Sequence, residues 1–385
     1  MLANYRALKD FPIGRLNQCA EGWRSLADAL GTQVADFDRT VVRPVDDPAW
    51  RGGGGDAARA AAHQAADRLS ATQKYVDANA VLLQAAHHGI WQAGLPKPEI
   101  WATVHDDGRV SFDHEPELFP WDSPPIVRMM NAQGTVYKLL HLADVVDRKT
   151  ASLLWHPPSP SVDRIPAVAD ADEHLRQAKA AFQEVVAEVD RFQPVEEAHT
   201  DTPEQPRGDL VATKDDEGLR VVLADAAGIL SLTGRPHGAD HLRHWLRSSG
   251  TTKYVSPAEI RRDLPLFETI VGNALRSAPD EGYFDTGWQN TDVQDDGTGA
   301  TQSQDWWYAM NDFRYRVLGR ATRAGGRRRT YYTIGVLKPY VFGPPRGPIK
   351  VPYVDIEFDQ AEIERLHHVG LARNFIIQGL SHGAE

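Results

Sequence analysis

The chain has 385 residues, 25% charged and 42% hydrophobic, an ordinary soluble globular composition with room for two or three domains. Its formal net charge of −11 argues against nucleic acid as a general partner, because phosphate backbones select basic faces. A lone cysteine, Cys19, excludes an internal disulfide, and no apolar run reaches bilayer-spanning length.

The N-terminus, with Asp10 early and no continuous apolar core, does not read as a cleavable signal peptide. A first long helix is predicted from about Arg15 to Arg43, with a seam at Leu16, Cys19, Trp23, Leu26, Leu30, Gln33, Phe37 and Val41. Cys19 falls on that seam and reads as a small buried hydrophobe. A second helix, about Asp56 to Trp91, repeats the spacing at Ala62, Ala65, Leu69, Thr72, Val76, Asn79, Leu83, Ala86 and Ile90. Alternating steps of three and four keep one face toward a partner helix. Between the two lies Asp47-Pro48-Ala49-Trp50-Arg51-Gly52-Gly53-Gly54-Gly55, where proline and four glycines interrupt the helix and turn the chain back.

Trp50-Arg51-Gly52 is thus a Trp-x-Gly at the bend of an antiparallel helical hairpin, and this stretch resembles the Trp-x-Gly helical-hairpin substrates of type VII secretion in actinobacteria. The resemblance covers residues 1–95 and, loosely, the helices up to 192. It implies a signal-peptide-independent route to the outside or the cell surface, with the type VII machinery or a second helical hairpin as export partner. The family's Tyr-x-x-x-Asp/Glu signal is missing after the second helix: Tyr75 is followed at the fourth position by Asn79, and the matches Tyr308–Asp312 and Tyr353–Glu357 lie far downstream.

Two short alternating strands around Asp107-Gly108 predict a β-hairpin over 100–113. A third helix follows Pro125 to about Trp155. A fourth carries a heptad at Val168, Ala171, Leu175, Ala178, Phe182, Val185, Val189 and Phe192. Residues 1–192 therefore read as an all-α, elongated helical bundle with a small hairpin. Residues 193–212 are acidic, spaced by prolines and almost free of apolar side chains, which is the composition of a linker.

Residues 213–385 read as an α+β domain with an antiparallel sheet. Helices are predicted at about 218–232, 239–248 and 257–276, the last opened by Ser256-Pro257-Ala258-Glu259, a serine cap with proline behind it. From Tyr283 onward the pattern turns to strands, including Trp306-Trp307-Tyr308 leading into Phe313–Leu318, a turn at Gly325-Gly326-Arg327, then Thr330–Val336 and Val351–Ile356. A helix at about Asp359–His368 precedes a short strand at Phe375-Ile376-Ile377.

Asp285, Trp288, Asp292, Asp305, Trp306 and Asp312 bring acids and indoles into one segment. Asp285, Asp305 and Asp312 are the candidate general acid or base for a sugar or phosphodiester substrate, with Trp306 and Trp307 as aromatic walls. The plainer reading has the acids solvating a loop and the tryptophans filling a core. Arg314, Arg316, Arg327 and Arg328, with Arg320, Arg323 and Arg329 around them, form a basic hairpin in an acidic protein and are the candidate anion site. The reading against it is a solvated turn. His237, Asp240, His241 and His244 place two imidazoles on one helix face but offer no third ligand in pattern, so they read as surface residues; neither metal nor cofactor is expected.

An export-type helical module, a linker and an α+β tail resemble the layout of polymorphic secreted toxins, which implies an effector tail and a separate immunity protein. A hydrolase acting on an anionic substrate is the expected class. The alternative is a non-enzymatic surface or interaction protein using the bundle as a stalk or dimerisation element.

Overall fold

The computed structural model describes residues 12–48, 52–92, 102–105, 109–112, 125–154, 168–191, 210–291, 304–324, 326–342, 349–350 and 357–385. Two compact units emerge: one of residues 1–111 and 135–194, the other of 112–134 and 195–385.

The first unit is built on α1 (Ile13–Phe37), continued by a π-helical turn at Asp38–Val42 and a short turn at Arg43–Val45, and on α2 (Gly53–Gln92). The helix break is narrower than the glycine run suggests. Gly52 takes a left-handed φ of +97°, and Gly53 to Gly55 already form the first turn of α2. Trp50 and Arg51 lie outside the described residues. α1 turns Ile13, Ala20 and Ala27 inward, while Cys19 is exposed and Leu26 is 47% exposed. The exposure of Cys19 corrects the expectation that it is a small buried hydrophobe. The buried positions Ile13, Ala20 and Ala27 recur every seven residues, so the heptad holds but runs one residue along from Cys19 and Leu26, and the alanines at Ala20 and Ala27 permit close helix approach.

α2 is buried on two faces. Ala62, Val76, Asn79, Ala86 and Ile90 are buried as the heptad reading has it, and Ala71, Tyr75, Ala78, Leu82 and Ala85 make a second buried set. That second set meets α4 (Val168–Asp190) through Ala171, Ala178, Ala181 and Val185. α3 (Pro125–Thr150), ended by a 3-10 turn at Ala151–Leu153, adds Val146 to this core, and its His141 pairs with Glu188 at 2.9 Å. The predicted hairpin is present as β1 (Ala102–Val104) paired with β2 (Val110–Phe112). Its Asp107-Gly108 turn lies outside the described residues, as does the linker up to residue 209.

The second unit is α+β. α5 (Lys214–Leu232), α6 (Pro236–Leu246), α7 (Pro257–Asp263), α8 (Pro265–Ser277), α9 (Gln304–Met310) and α10 (Gln360–His368) accompany a six-stranded sheet. Its path is β3 (Lys253–Tyr254), β10 (Phe375–Ala384), β7 (Arg327–Tyr340), β6 (Arg314–Ala324) and β4 (Gly282–Asp285), with β5 (Gln289–Asn290) also on β6. All pairs are antiparallel except β3 with β10. A separate pair joins β8 (Ile349–Lys350) to β9 (Glu357–Phe358).

Local chemistry explains the helix ends. Thr213 and Asp216 form a capping box on α5, and Arg365 of α10 forks onto the same carboxylate at 2.9 and 3.1 Å. That bond, ahead of the burial that opposes it, holds the Asp216 carboxyl down at about 2. Ser256 caps α7 through the Glu259 amide as expected, but Pro265 stops that helix at Asp263 and opens α8 one residue after Leu264. A second difference is α9: residues 306–308 are helical rather than extended, because Trp306, Ala309 and Met310 fall on one helical face and bury there.

One sheet face carries Val317, Tyr332, Ile334, Val336, Phe375 and Ile377 into a core with Trp245, Phe267, Leu275 and Leu366 from the helices. Each large side chain so buried contributes about 1.5–3 kcal/mol. The opposite face is partly polar, with Arg316, Arg320, Thr333 and Gln378 all buried. The first turns of α3 cover part of it. The Ile126 amide donates to Gln378 Oε1 at 3.1 Å, Arg316 Nη1 donates to Asn131 Oδ1 at 2.7 Å, and Met130 occupies the space beside Gly335.

A histidine and an aspartate meet at two helix openings

The turn between α5 and α6 uses Gly234 in the left-handed region, φ +79°, and Pro236 then begins α6. His237 consequently sits in the first turn of α6, as Asp305 does in that of α9. The two side chains meet: Asp305 Oδ2 lies 2.6 Å from His237 Nδ1, and Asp305 Oδ1 accepts the Gly238 amide at 2.9 Å. The carboxylate is therefore fixed at both oxygens. It also closes the open end of α6, a structural task in its own right.

The imidazole stacks on the Trp306 indole, ring centres 4.2 Å apart and planes 20° from parallel. Arg235, buried at the mouth of α6, donates to Gln304 Oε1 and, at 3.0 Å, to the Thr233 carbonyl. The His237 side chain remains 35% exposed. With Nδ1 committed to a carboxylate, Nε2 is the nitrogen left to take or deliver a proton. The hydrogen bond to Asp305 raises the His237 pKa above the ordinary value against the opposing effect of burial, and Glu259 and Asp263 add to the rise. A raised imidazole supplies a proton near neutral pH and attracts anions.

The other candidate residues are arranged differently. Asp285 and Arg316, assigned separately to acid–base work and anion binding, are one buried ion pair: Arg316 Nε and Nη2 donate to the Asp285 oxygens at 2.9 and 2.6 Å. Tyr283 Oη donates to the same carboxylate at 2.6 Å and the Gly287 amide at 2.9 Å. Burial would push the Asp285 carboxyl up; Arg316 outweighs it and holds it below the ordinary range. Asp312 is exposed just past α9, and Asp292 lies outside the described residues.

Trp306 is buried against His237, whereas Trp307 is half-buried and packs edge-on to Tyr308. The basic hairpin is dispersed. Arg314 is half-buried, Arg320 is buried on the polar sheet face, Arg323 pairs with Asp280, and Arg327 is exposed. Arg328 bonds the carbonyls ending α8. Of the histidine group, His241 is in the core with its Nδ1 2.9 Å from the Ala309 carbonyl oxygen, and burial lowers its pKa to about 4. His244 approaches the Thr251 carbonyl at 2.9 Å. Among the described residues no group of acids, histidines and cysteines is placed to hold a metal ion.

In the sequence His237 groups with Asp240, His241 and His244, and nothing there links it to Asp305. The two are 68 residues apart, so no spacing rule links them. Neither lies in a helix that the sequence predicts, since the pattern starts a helix at 239 and reads 306–308 as extended; the two helix starts that bring them together, Pro236 and Gln304, are seen only in the structure. No family model, curated protein or solved structure matches the chain.

Proposed function

We propose that this chain is a secreted effector in which the α1–α2 hairpin, with Trp50-Arg51-Gly52 at its bend, serves type VII export. The C-terminal unit acts as a hydrolase on an anionic substrate, with His237 as the proton-transferring group and Asp305 orienting it. The observation that carries the enzymatic part is the 2.6 Å contact between a buried carboxylate and a partly exposed imidazole. Support for the export part is the long antiparallel hairpin, whose first arm ends at Val45 and whose second starts at Gly53. Among the described residues no helix is long and apolar enough to cross a membrane. An immunity protein and an export partner are the partners this reading requires.

A second reading, a non-enzymatic interaction protein, draws on the outer face of α5, where Val221 is 61% and Leu232 89% exposed. The full-length chain expressed in a surrogate bacterium, in the cytoplasm and directed to the periplasm, separates the two. Growth arrest relieved by His237→Gln and by Asp305→Asn at matched protein levels is the expected result. Arrest that persists in both variants removes the dyad, and unimpaired growth with folded protein in both compartments favours the interaction reading. Export is tested apart from this, by secretion of the Trp50→Ala variant from an actinobacterial host.

A further inference from the structure

Between the start of β7 and the helices α7 and α8 lies a concavity of about 320 Å³, whose lining includes Arg261, Glu268, Arg276, Arg328, Thr330 and Glu385. None of these residues belongs to the His237–Asp305 pair, and nothing about this concavity depends on whether that pair is catalytic.

The charges in it are unevenly distributed. Both carboxylates gather at Arg261: Glu268 is forked onto it at 2.5 and 2.9 Å, and Glu385 lies 3.8 Å away. Arg261 is further tied to Tyr332 Oη at 2.8 Å. Arg276 and Arg328 meet no carboxylate among the described residues. Arg276 Nη2 donates to the Asn273 amide oxygen at 2.5 Å, and Arg328 Nη2 donates to the Leu275 and Ala278 carbonyls, each at 3.0 Å. Arg328 Nε is buried with no partner. In a chain of net charge −11, two guanidiniums therefore face one concavity without an ion pair of their own among the described residues. The nearby Glu268, held below the ordinary carboxylate range by Arg261 first and by Arg276 as well, is forked onto Arg261. Each guanidinium has five N–H donors, so donors remain on both after their protein bonds are counted.

We propose that this concavity binds a phosphorylated sugar or polyol, its phosphate between Arg276 and Arg328 and its hydroxyls toward Glu268, Glu385 and Thr330. A tetrahedral dianion accepts from the Arg276 guanidinium and from Arg328 Nη1 at once, the Arg328 Nη2 hydrogens being committed to the two carbonyls, and a single carboxylate bridges two cations less well. The acidic end disfavours a second anionic group and offers acceptors to hydroxyls. The volume sits at the lower end of small-molecule sites, which extend upward from about 300 Å³, and suits a ligand of monosaccharide size.

Calorimetric titration of the full-length chain with glucose 6-phosphate, inorganic phosphate and glucose, at constant ionic strength, tests the assignment. Glucose 6-phosphate is expected to bind more tightly than inorganic phosphate, and glucose to give no heat. Arg276→Gln is expected to weaken glucose 6-phosphate at least about tenfold, consistent with loss of a charge-assisted hydrogen bond. Its melting temperature stays unchanged, because Arg276 is exposed and, among the described residues, hydrogen-bonded to Asn273 alone. Arg276→Lys, which keeps the charge and loses the fork, falls between. The proposal is overturned by absence of binding for both phosphate compounds, or by equal affinity in the wild type and both Arg276 variants. Inorganic phosphate binding as tightly as glucose 6-phosphate overturns the sugar assignment and leaves a bare oxyanion site.

Discussion

Arg316 and Asp285 face each other across neighbouring strands with side chains only 2% and 7% exposed, joined by two hydrogen bonds and completed by Tyr283 and Asn131. A charge pair this deep is held by mutual satisfaction: its net contribution is small, and the cost appears when one member is lost.

Asp285→Ala is accordingly expected to destabilise the chain by about 3–5 kcal/mol, since Arg316 is left charged and buried. The double variant Asp285→Leu/Arg316→Met is expected to be less destabilised than Asp285→Ala. Urea unfolding followed by tryptophan fluorescence measures both, and a double variant worse than the single would contradict the account.

The His237–Asp305 contact has a pH signature. Because the folded pKa of His237 is raised, the contact's contribution to stability is fully present below the unfolded value of 6.5 and is lost as pH rises through the folded value. Asp305→Asn keeps an acceptor for the Gly238 amide but removes the charge. It is expected to lower the His237 midpoint in an NMR titration and to cost more melting temperature at pH 5.5 than at pH 9. A midpoint unmoved by Asp305→Asn would show that Glu259 and Asp263, the other acids near the ring, set it instead.

Two sheet glycines should respond unequally to alanine. A Cβ on Gly379 would lie 2.2 Å from the Val255 carbonyl oxygen, backbone that pairs with β10 and cannot yield. At Gly335 the nearest atom, 2.8 Å away, belongs to the flexible Met130 side chain. Gly379→Ala is expected to cost about 2–4 kcal/mol and Gly335→Ala about 1–2 kcal/mol, from denaturation midpoints. The reverse order would mean that β3 gives way more easily than α3.

The helical half of the fold was readable because periodicity is local: the apolar steps of α2 and α4 and the cap at Ser256 each need only a few neighbouring residues. α9 was not, since Trp306-Trp307-Tyr308 has strand-like composition and only burial of Trp306 and Met310 on one face selects the helix. Cys19 is exposed because the buried register of α1 runs through Ala20 and Ala27, one residue along, and small alanines give a weaker apolar signal than Leu26 or Cys19. At the candidate site Asp305 and Trp306 were legible as chemistry, while His237 required the tertiary contact. Asp285 and Arg316 show the converse, for residues suited to catalysis are equally suited to neutralising each other once buried.

The first turns of α3 join a sheet made much later. Ile126 meets Gln378 across 252 residues and Asn131 meets Arg316 across 185. During synthesis Ile126 and Met130, both buried in the finished fold, must therefore wait without Gln378 and Gly335 until β7 and β10 have been made. Closing so long a loop delays folding and leaves apolar surface bare in the interval. The proline-spaced stretch at 193–212 is consequently a poor place to divide the gene. A fragment starting there would fold its sheet without the helix turns that cover Arg316 and Gln378, and a foreign tail spliced on at that point would leave those turns with nothing to pack against.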